Sequence, residues 1–403
     1  MPLQLTNEQL KQIASQYGSP VYVYHAERIK EQYENLLHAF AGTDTRFFYA
    51  AKALTNISVL KYILSIGCNI DCSSVNEARL AIHAGFTPGQ ILYTSNNIAF
   101  SEIAEAKELG ISINIDSLSN LRKFGEAYGG TYPVGVRLRP NIMAGGNLKI
   151  STGHSNSKFG VALEDLESIL QVQRETGLHI RTLHIHTGSE IKDVEVFAKG
   201  IEVLLDLVPH FPSLEVIDLG GGMKVPYLPG EAGTDITDLG RKVKEEFEKY
   251  EHKTGRHLQV WFEPGKYIVA EAGYFITTVN VIKKSGDKIF AGVNSGLNHL
   301  IRPMFYGAYH EIVNITNPGG PVQTYQVVGN ICETDNFAED RPLPEVREND
   351  LLVFRNAGAY CFEMSSHYNS RFKPPEVLVK DGQPILIREG DQLEDLLHNQ
   401  TQA

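Results

Sequence analysis

Short apolar runs alternate with amphipathic segments between residues 45 and 270. The runs are rich in β-branched and aromatic residues, which predicts buried strands, and the segments repeat apolar residues every three or four positions, which predicts helices. The predicted strands are 47–52, 69–73, 91–95, 112–116, 133–139, 182–186, 216–219 and 260–263. The predicted helices include 59–66, 76–84, 102–109, 163–176 and 194–208.

Eight strand–helix units in a segment of this length predict an α/β fold, the (β/α)8 TIM-type barrel, which typically needs about 250 residues. After residue 272 the pattern changes to alternating β-type runs at 274–282, 324–328 and 351–354, which predicts a C-terminal all-β domain. The early run 21–24 precedes the barrel and is expected to pair with that domain. The predicted domains are a barrel at 25–272 and a β-domain formed by 1–24 and 273–403.

The composition of the chain indicates which kinds of molecule it can bind. The chain has 403 residues, of which 42% are hydrophobic, and a formal net charge of -11. This acidic balance argues against nucleic acid and anionic membranes as partners, because both attract basic surfaces. A run of about 18 apolar residues and a signal-peptide pattern are both lacking, so a cytoplasmic protein that acts on a small molecule is expected. The four cysteines are too scattered for a disulfide framework or a zinc site, and we expect reduced thiols.

Polar residues stand at the ends of several predicted strands, where the chemistry of such barrels takes place. They include Lys52, Asp71, Arg137, His184, His186 and Glu263. Lys52 closes an apolar run, and an amine at that place can form a Schiff base with a carbonyl ligand. A lysine at a strand end is more often a solvated charge on an apolar stem, so Lys52 alone does not establish catalysis.

Three consecutive glycines, Gly220, Gly221 and Gly222, follow the seventh predicted strand. Glycines at this place let backbone N–H groups approach an anion closely, and the loops after strands seven and eight are the usual phosphate site of a barrel. A tight turn is the alternative, but it would account for only one or two of the three. The sequence therefore favours a phosphate site.

His184 and His186 are two residues apart on a predicted strand, so their side chains should point to the same face and could bind a metal. Most of the other histidines lie in predicted helices and loops, which leaves the further ligands of a metal unsupplied. A stacked or hydrogen-bonding imidazole is favoured, and no metal site is predicted.

Glu263 ends the eighth predicted strand, and a carboxylate in a barrel mouth is unfavourable unless it meets a cation or accepts a strong hydrogen bond. An internal salt bridge would satisfy it. If the ligand is pyridoxal phosphate, the carboxylate could instead face the ring nitrogen and keep it protonated, which favours decarboxylation.

Seven segments resemble, in order and spacing, the pyridoxal-phosphate decarboxylases of the alanine-racemase-like fold. They are 49–52 (Tyr-Ala-Ala-Lys), 186–189 (His-Thr-Gly-Ser), 218–222 (Asp-Leu-Gly-Gly-Gly), 263–266 (Glu-Pro-Gly-Lys), 302–306 (Arg-Pro-Met-Phe-Tyr), 332–333 (Cys-Glu) and 357–360 (Ala-Gly-Ala-Tyr). The resemblance spans nearly the whole chain and is greatest to members that act on meso-diaminopimelate.

The resemblance implies the cofactor pyridoxal 5'-phosphate, bound by Lys52, Asp71, Arg137, His186, Ser189, Gly221, Gly222, Glu263, Gly265, Lys266 and Tyr360. Lys52 would carry the cofactor, His186 would stack on its ring, and Glu263 would face its nitrogen. The implied substrate-binding residues are Arg302, Tyr306, Glu333 and Tyr360. The implied catalytic residues are Lys52, His186 and Cys332, with Cys332 as the proton donor to Cα.

The resemblance also implies an obligate homodimer in which Cys332, Glu333 and Tyr360 complete the site of the neighbouring subunit. The expected reaction is decarboxylation of meso-2,6-diaminopimelate to L-lysine. Decarboxylation of ornithine, arginine, lysine or carboxynorspermidine is the alternative, and a catalytically inactive binding protein is a third. Lys266 stands where the family commonly has arginine. An ammonium group would make a single-point contact in place of the bidentate contact of a guanidinium.

Overall fold

The computed structural model describes residues 3–142 and 157–401. The chain forms two compact units. The first comprises Met1–Glu31, Pro226–Glu231 and Ile268–Ala403, and the second comprises Gln32–Val225 and Ala232–Tyr267. We call the first the β-unit and the second the barrel unit.

Eight parallel strands of the barrel unit form a closed sheet. They are Thr45–Ala50, Asn69–Cys72, Ile91–Thr94, Ser112–Ile115, Val134–Arg139, Ile180–Ile185, Val216–Asp218 and Gln259–Phe262. The first strand pairs with the second, Phe48 opposite Asn69, and also with the eighth, Phe47 opposite Phe262, which closes the barrel. A short strand, Val161–Ala162, adds to the fifth. The predicted TIM-type barrel is confirmed.

Helices connect the successive strands. They are Ile57–Ser65, Val75–Ala84, Phe100–Glu108, Leu118–Tyr128, Leu166–Thr176, Glu195–Leu207 and Ile236–Thr254. Ala26–Ala39 precedes the first strand and the short Lys266–Val269 follows the eighth. Local sequence sets their ends, as Ser74 shows by accepting a hydrogen bond from the Glu77 N–H at one helix start. Within the described residues, every helix is too short or too polar to cross a bilayer.

The five helices named from the sequence are confirmed to within a few residues, but 26–39, 118–128 and 236–254 were not predicted. In the last of these, Leu239, Val243 and Phe247 form a buried stripe with a spacing of four residues. Most of the other residues of this helix are charged or polar, so the helical periodicity of its few apolar residues is weak in the sequence.

Lys52 does not lie on a strand, contrary to the predicted range 47–52. The strand ends at Ala50, and Lys52 falls in a 3-10 turn, Ala51–Ala53. The Leu54 N–H donates to the Ala51 carbonyl at 2.9 Å, and the Tyr49 hydroxyl donates to the Leu54 carbonyl at 2.9 Å. The side chain of Tyr49, next to the last residue of the strand, therefore helps to hold the turn that presents Lys52.

The β-unit is built from the strands Val21–His25, Gly273–Ser285, Lys288–Val293, Ile312–Asn314, Val322–Val328, Asn336–Pro344, Leu351–Arg355, Glu376–Lys380 and Gln383–Arg388. Its helices are Asn7–Tyr17, Arg302–Tyr306 and Leu393–Leu397. The strand Val21–His25 pairs antiparallel with Gly273–Ser285 and parallel with Glu376–Lys380. The predicted association of the N-terminal strand with the C-terminal domain is confirmed. Leu10 and Ile13 pack with Val23, Ile276 and Val377 in its core.

We predict that Gly240→Ala destabilises the barrel unit. A methyl group at this helical position would lie 1.9 Å from the Ala39 carbonyl oxygen, so the two helices would have to separate. Overpacking of this kind costs about 1–3 kcal/mol, which exceeds the gain of up to about 1 kcal/mol in helix propensity. Urea unfolding would measure the difference. Gly319→Ala, where no heavy atom lies within 4 Å, is the control. Equal stability of the two variants would contradict the prediction.

Candidate active site

Lys52 and Asp71 form an ion pair where the first two barrel strands end. The Lys52 ammonium lies 3.1 Å from Asp71 Oδ2, and the lysine side chain is 40% exposed while the aspartate side chain is fully buried. Burial and the charge of Glu263 raise the pKa of Asp71 to about 7, although Lys52 opposes this shift. The amine is thus held by a buried carboxyl group and remains accessible to a ligand.

Glu263 follows the eighth strand and is 5% exposed. The Thr94 hydroxyl donates to Glu263 Oε1 at 3.2 Å, and His184 Nε2 lies 3.2 Å from the same oxygen. Burial alone would raise the pKa of Glu263, but His184 and Lys52 outweigh it and the pKa is lowered. The carboxylate is therefore ionised and can face a cationic group.

His186 lies just beyond the sixth strand and accepts a hydrogen bond from the Gly221 N–H at 3.2 Å through Nδ1. Burial, with the nearby charges of Arg137 and Lys52, lowers the pKa of His186 to about 3. The ring is consequently neutral at physiological pH, and its orientation is tied to the glycine loop.

His184 points into the barrel, where its side chain is fully buried. Its ligand atoms and those of Asp218 and Glu263 lie within 4.8 Å of one another. This is the one such group of potential metal ligands within 3–142 and 157–401, and it does not include His186, the partner expected from the His-x-His spacing.

The glycine loop, Gly220–Gly222, requires glycine for steric reasons. Gly220 and Gly222 have φ values of 66° and 109°. A Cβ atom at Gly221 would lie 2.4 Å from the Glu263 carbonyl oxygen, and one at Gly222 would lie 2.3 Å from the Gly188 carbonyl oxygen. The backbone of this loop therefore packs where side chains cannot fit, and its surface is available for close contact with a ligand.

Ser189 lies beside Lys266, whose ammonium is 3.0 Å from the serine Oγ. Lys266 also forms an ion pair with Glu190, which has a φ of 63°. Glu190 was not predicted, because nothing near it in the sequence indicates a role. Only the fold brings it to Lys266, which is 76 positions away. Much of the Lys266 charge is compensated within the protein.

Arg137 completes the cationic side of the mouth. It is buried and stacks 4.7 Å from the ring centroid of Phe159. Burial lowers its pKa, while Glu263 and Asp116 oppose the shift. Asp116 is a second residue of the mouth that was not predicted. Its pKa is raised, because burial outweighs the opposing charge of Arg137.

Polar side chains continue from the mouth into the barrel interior. The Asn114 amide donates to Thr94 Oγ1 at 3.0 Å and reaches Asp218 Oδ2 at 3.4 Å. Asp218 Oδ1 accepts a hydrogen bond from the Gly220 N–H at 2.9 Å. These three residues were not predicted, although a polar residue inside each short apolar run, 91–94, 112–115 and 216–218, was a visible signal.

Arg302 is held by aromatic and imidazole groups within the β-unit. Its guanidinium lies 5.2 Å from the ring centroid of Tyr227 and 6.0 Å from that of Tyr306. Its Nε donates to His310 Nε2 at 3.3 Å. Burial and Arg302 lower the pKa of His310 to about 3, so the imidazole is a neutral acceptor. Arg302 is 6% exposed, so its guanidinium is buried and not a solvated surface charge.

Cys332 is exposed on the β-unit in a small polar cluster. Its Sγ lies 3.5 Å from Glu333 Oε2, 3.8 Å from the Tyr368 hydroxyl and 3.3 Å from the Asn369 amide nitrogen. Tyr368 also donates to Glu333. Tyr360, with a φ of 57°, belongs to the same unit. Tyr368 and Asn369 were not predicted, since they lie 36 and 37 residues from Cys332.

Comparisons with known proteins agree with this arrangement. Residues 26–270 match the family described as pyridoxal-dependent decarboxylase, pyridoxal binding domain. A diaminopimelate decarboxylase of Methanothermobacter thermautotrophicus is 40% identical over 400 residues, covering 96% of this chain and 93% of the relative. One of Campylobacter jejuni is 33% identical over 395 residues, with 96% of each chain covered.

Solved structures show the same likeness. Diaminopimelate decarboxylase from Helicobacter pylori, complexed with L-lysine, is 30% identical with a TM-score of 0.89, and the match covers 96% of this chain and 98% of that one. Lysine/ornithine decarboxylase from Vibrio vulnificus, 22% identical with a TM-score of 0.81 over 93% of this chain and 98% of that one, shares the fold. The family match and the identity over almost the full length establish that this chain belongs to the pyridoxal-dependent decarboxylases.

Proposed function

We propose that this protein decarboxylates meso-2,6-diaminopimelate to L-lysine. The observation that carries the proposal is the presence of an accessible amine, Lys52, and a buried ionised carboxylate, Glu263, after neighbouring strands of one barrel mouth that also contains the glycine loop. Relatives and solved structures that match the chain over nearly its full length include diaminopimelate decarboxylases, which supports this substrate.

The residues of the mouth fit pyridoxal phosphate, the cofactor of the family. When bound, this group supplies an aldehyde that bonds to amines and a ring that withdraws electrons from Cα. The chain offers a suitable partner for each of its ends. Lys52 is the amine, Glu263 is an anion for a protonated ring nitrogen, and the loop in which a Cβ at Gly221 or Gly222 would clash offers backbone to a phosphate.

Several roles follow for the chain's own residues. Asp71 would hold the Lys52 amine in place and share its proton, because burial raises the aspartate pKa to about 7. His186 would stack on the ring as a neutral imidazole, so it would not compete with Glu263 for the positive charge. Ser189 and Gly265 would bind the phosphate with the glycine loop, and Lys266 would hold the Ser189 hydroxyl.

The β-unit would recognise the distal end of the substrate. Arg302, oriented by Tyr227 and the neutral His310, would bind the distal carboxylate with Tyr306. Glu333 would meet the distal ammonium group. A substrate that ends in a carboxylate and an ammonium group on one carbon needs both a cation and an anion of the protein to pair with them. Ornithine and lysine end in an amine alone.

We further propose a homodimer in the cytoplasm with shared active sites. Cys332, Glu333 and Tyr360 would enter the site of the partner, where the Cys332 thiol would deliver a proton to Cα. Exposure of Cys332 and its contacts with Glu333 and Tyr368 support this role, because they leave the thiol accessible and place it beside a carboxylate that accepts its hydrogen bond and beside a tyrosine hydroxyl.

The purified protein is expected to bind pyridoxal phosphate through Lys52. Borohydride treatment of the yellow protein should fix the cofactor to the peptide that contains Lys52, as seen by mass spectrometry. Lys52→Ala should lose the labelled peptide and its activity. Lys61→Ala changes a helical lysine for which no role is proposed and is the control. Label on another lysine would exclude Lys52 as the attachment point.

Carbon dioxide release is expected with meso-diaminopimelate and not with ornithine, arginine or lysine. A site built to pair a distal carboxylate should favour diaminopimelate by at least about 100-fold in kcat/KM, because the unpaired Arg302 would remain buried with the other substrates. Release of labelled carbon dioxide from each amino acid at equal concentration would measure the preference. A higher rate with any diamine-forming substrate would move the assignment to polyamine synthesis.

Two inactive variants are expected to restore activity when mixed. Lys52→Ala and Cys332→Ala subunits, exchanged at equal amounts, should form hybrid dimers with one intact site and recover about one quarter of wild-type activity. Lys52→Ala mixed with His186→Ala is the control, since both changes lie in the barrel unit and every hybrid site would be damaged. Equal recovery in both mixtures, or none in either, would contradict shared sites.

A further inference from the structure

Five polar side chains form a layer inside the barrel, beneath the mouth. We call Thr94, Asn114, His184, Asp218 and Glu263 the interior polar layer, and each is buried. Barrel interiors are ordinarily filled by branched apolar residues, and buried polar groups are unfavourable unless they are hydrogen-bonded. Thr94, Asn114, Asp218 and Glu263 meet this requirement through hydrogen bonds. His184 approaches Glu263 Oε1 at 3.2 Å, but among the described residues neither of its ring nitrogens has a hydrogen-bond partner of regular geometry.

The hydrogen bonds of the layer run from Asn114 towards Glu263. Asn114 donates to Thr94 Oγ1 at 3.0 Å, so the single proton of Thr94 is left for Glu263, to which it donates at 3.2 Å. Asn114 lies on the fourth strand and Asp218 on the seventh, and their contact at 3.4 Å crosses the barrel interior. Gly135 leaves the space for this crossing, because a Cβ there would lie 1.9 Å from Asn114 Oδ1.

The charges of the layer do not balance if both carboxyl groups are ionised. A carboxyl oxygen of Asp218 lies within 4.8 Å of one of Glu263, and both side chains are buried. Two buried carboxylates so close together disfavour each other's ionisation. Lys52 and the imidazole of His184, whose Nε2 lies 3.2 Å from Glu263 Oε1, favour the charged form of Glu263. The donors to Asp218 are the Gly220 N–H and the Asn114 amide, which are both neutral. Burial, followed by Glu263 and Asp71, raises the pKa of Asp218 well above its usual range.

We propose that Asp218 stays protonated and that its neutral carboxyl group is a positioning residue, donating a hydrogen bond to Glu263 while it anchors the glycine loop through the Gly220 N–H. One side chain thereby connects the group that is to face the ring nitrogen with the loop that is to bind the phosphate. A backbone hydrogen bond links the same two parts, because the Glu263 N–H donates to the Gly220 carbonyl at 2.9 Å. The inference rests on the proposed function for the role of Glu263 towards the cofactor.

A metal is the competing explanation of the same side chains. His184, Asp218 and Glu263 place their ligand atoms within 4.8 Å of one another, and zinc binds sets of this kind. Asp218 would then be an ionised ligand, and asparagine would not replace it. The two explanations make opposite predictions for Asp218→Asn. Asparagine keeps the shape, supplies a donor and retains one oxygen for the Gly220 N–H, and it gives up only the long 3.4 Å contact from the Asn114 amide.

The test compares Asp218→Asn with Asp218→Leu. Asn should bind pyridoxal phosphate within about threefold of the wild type, whereas Leu should weaken binding by about tenfold or more through loss of the hydrogen bonds to Glu263 and the loop. Binding would be measured by titration of the cofactor-free protein and followed by absorbance. Equal losses in Asn and Leu, or one equivalent of zinc in the wild type that Asn removes, would overturn the proposal.

An infrared measurement separates this inference from the proposed function and does not depend on the Leu variant folding. In cofactor-free protein at neutral pH, the difference spectrum of wild type minus Asp218→Asn should contain the carbonyl band of a protonated carboxyl group. Absence of that band would overturn the protonated Asp218 even if Lys52 binds the cofactor. Presence of the band in a protein that does not bind pyridoxal phosphate would instead overturn the proposed function and leave the protonation standing.

Discussion

An ionised carboxylate without access to water is the constraint on which the site depends. Glu263 retains its charge only because a hydroxyl, an imidazole and the cations of the mouth surround it. Burial favours the neutral forms of the neighbouring groups, since it raises the pKa values of Asp71 and Asp218 and lowers that of His186. The protonation states of the groups in the mouth therefore depend on one another, and a single substitution would change the pKa values of several of them.

Backbone geometry adds a second condition to this electrostatic one. Gly221 packs against the carbonyl of Glu263, and Gly222 packs against that of Gly188, both at distances that exclude a side chain. The loop is thereby fixed relative to the carboxylate as well as to His186, whose Nδ1 accepts from Gly221. A ligand that spans the mouth meets groups that are already in place, which reduces the loss of entropy on binding.

The barrel and the main residues of its mouth could be predicted because their signals are local. Strand periodicity located Lys52, Asp71 and Glu263 at strand ends, although the turn at Ala51–Ala53 was not foreseen. Pairings over long separations could not be read in this way. Asn114 meets Asp218 across the barrel, 104 residues away, and Lys266 meets Glu190, 76 residues away. Asp218 and Lys266 lie in segments that the sequence singled out, but nothing in the sequence pairs them with Asn114 and Glu190 until the chain folds.

The pairing of Val21–His25 between Gly273–Ser285 and Glu376–Lys380 has a consequence for biosynthesis. This strand leaves the ribosome early, but both of its neighbours are translated only after the barrel sequence. Until then its hydrogen-bonding edges have no native partner, and closing so long a loop is slow. The nascent chain must keep an apolar five-residue segment unpaired through most of its synthesis, which makes that segment a natural point of chaperone contact.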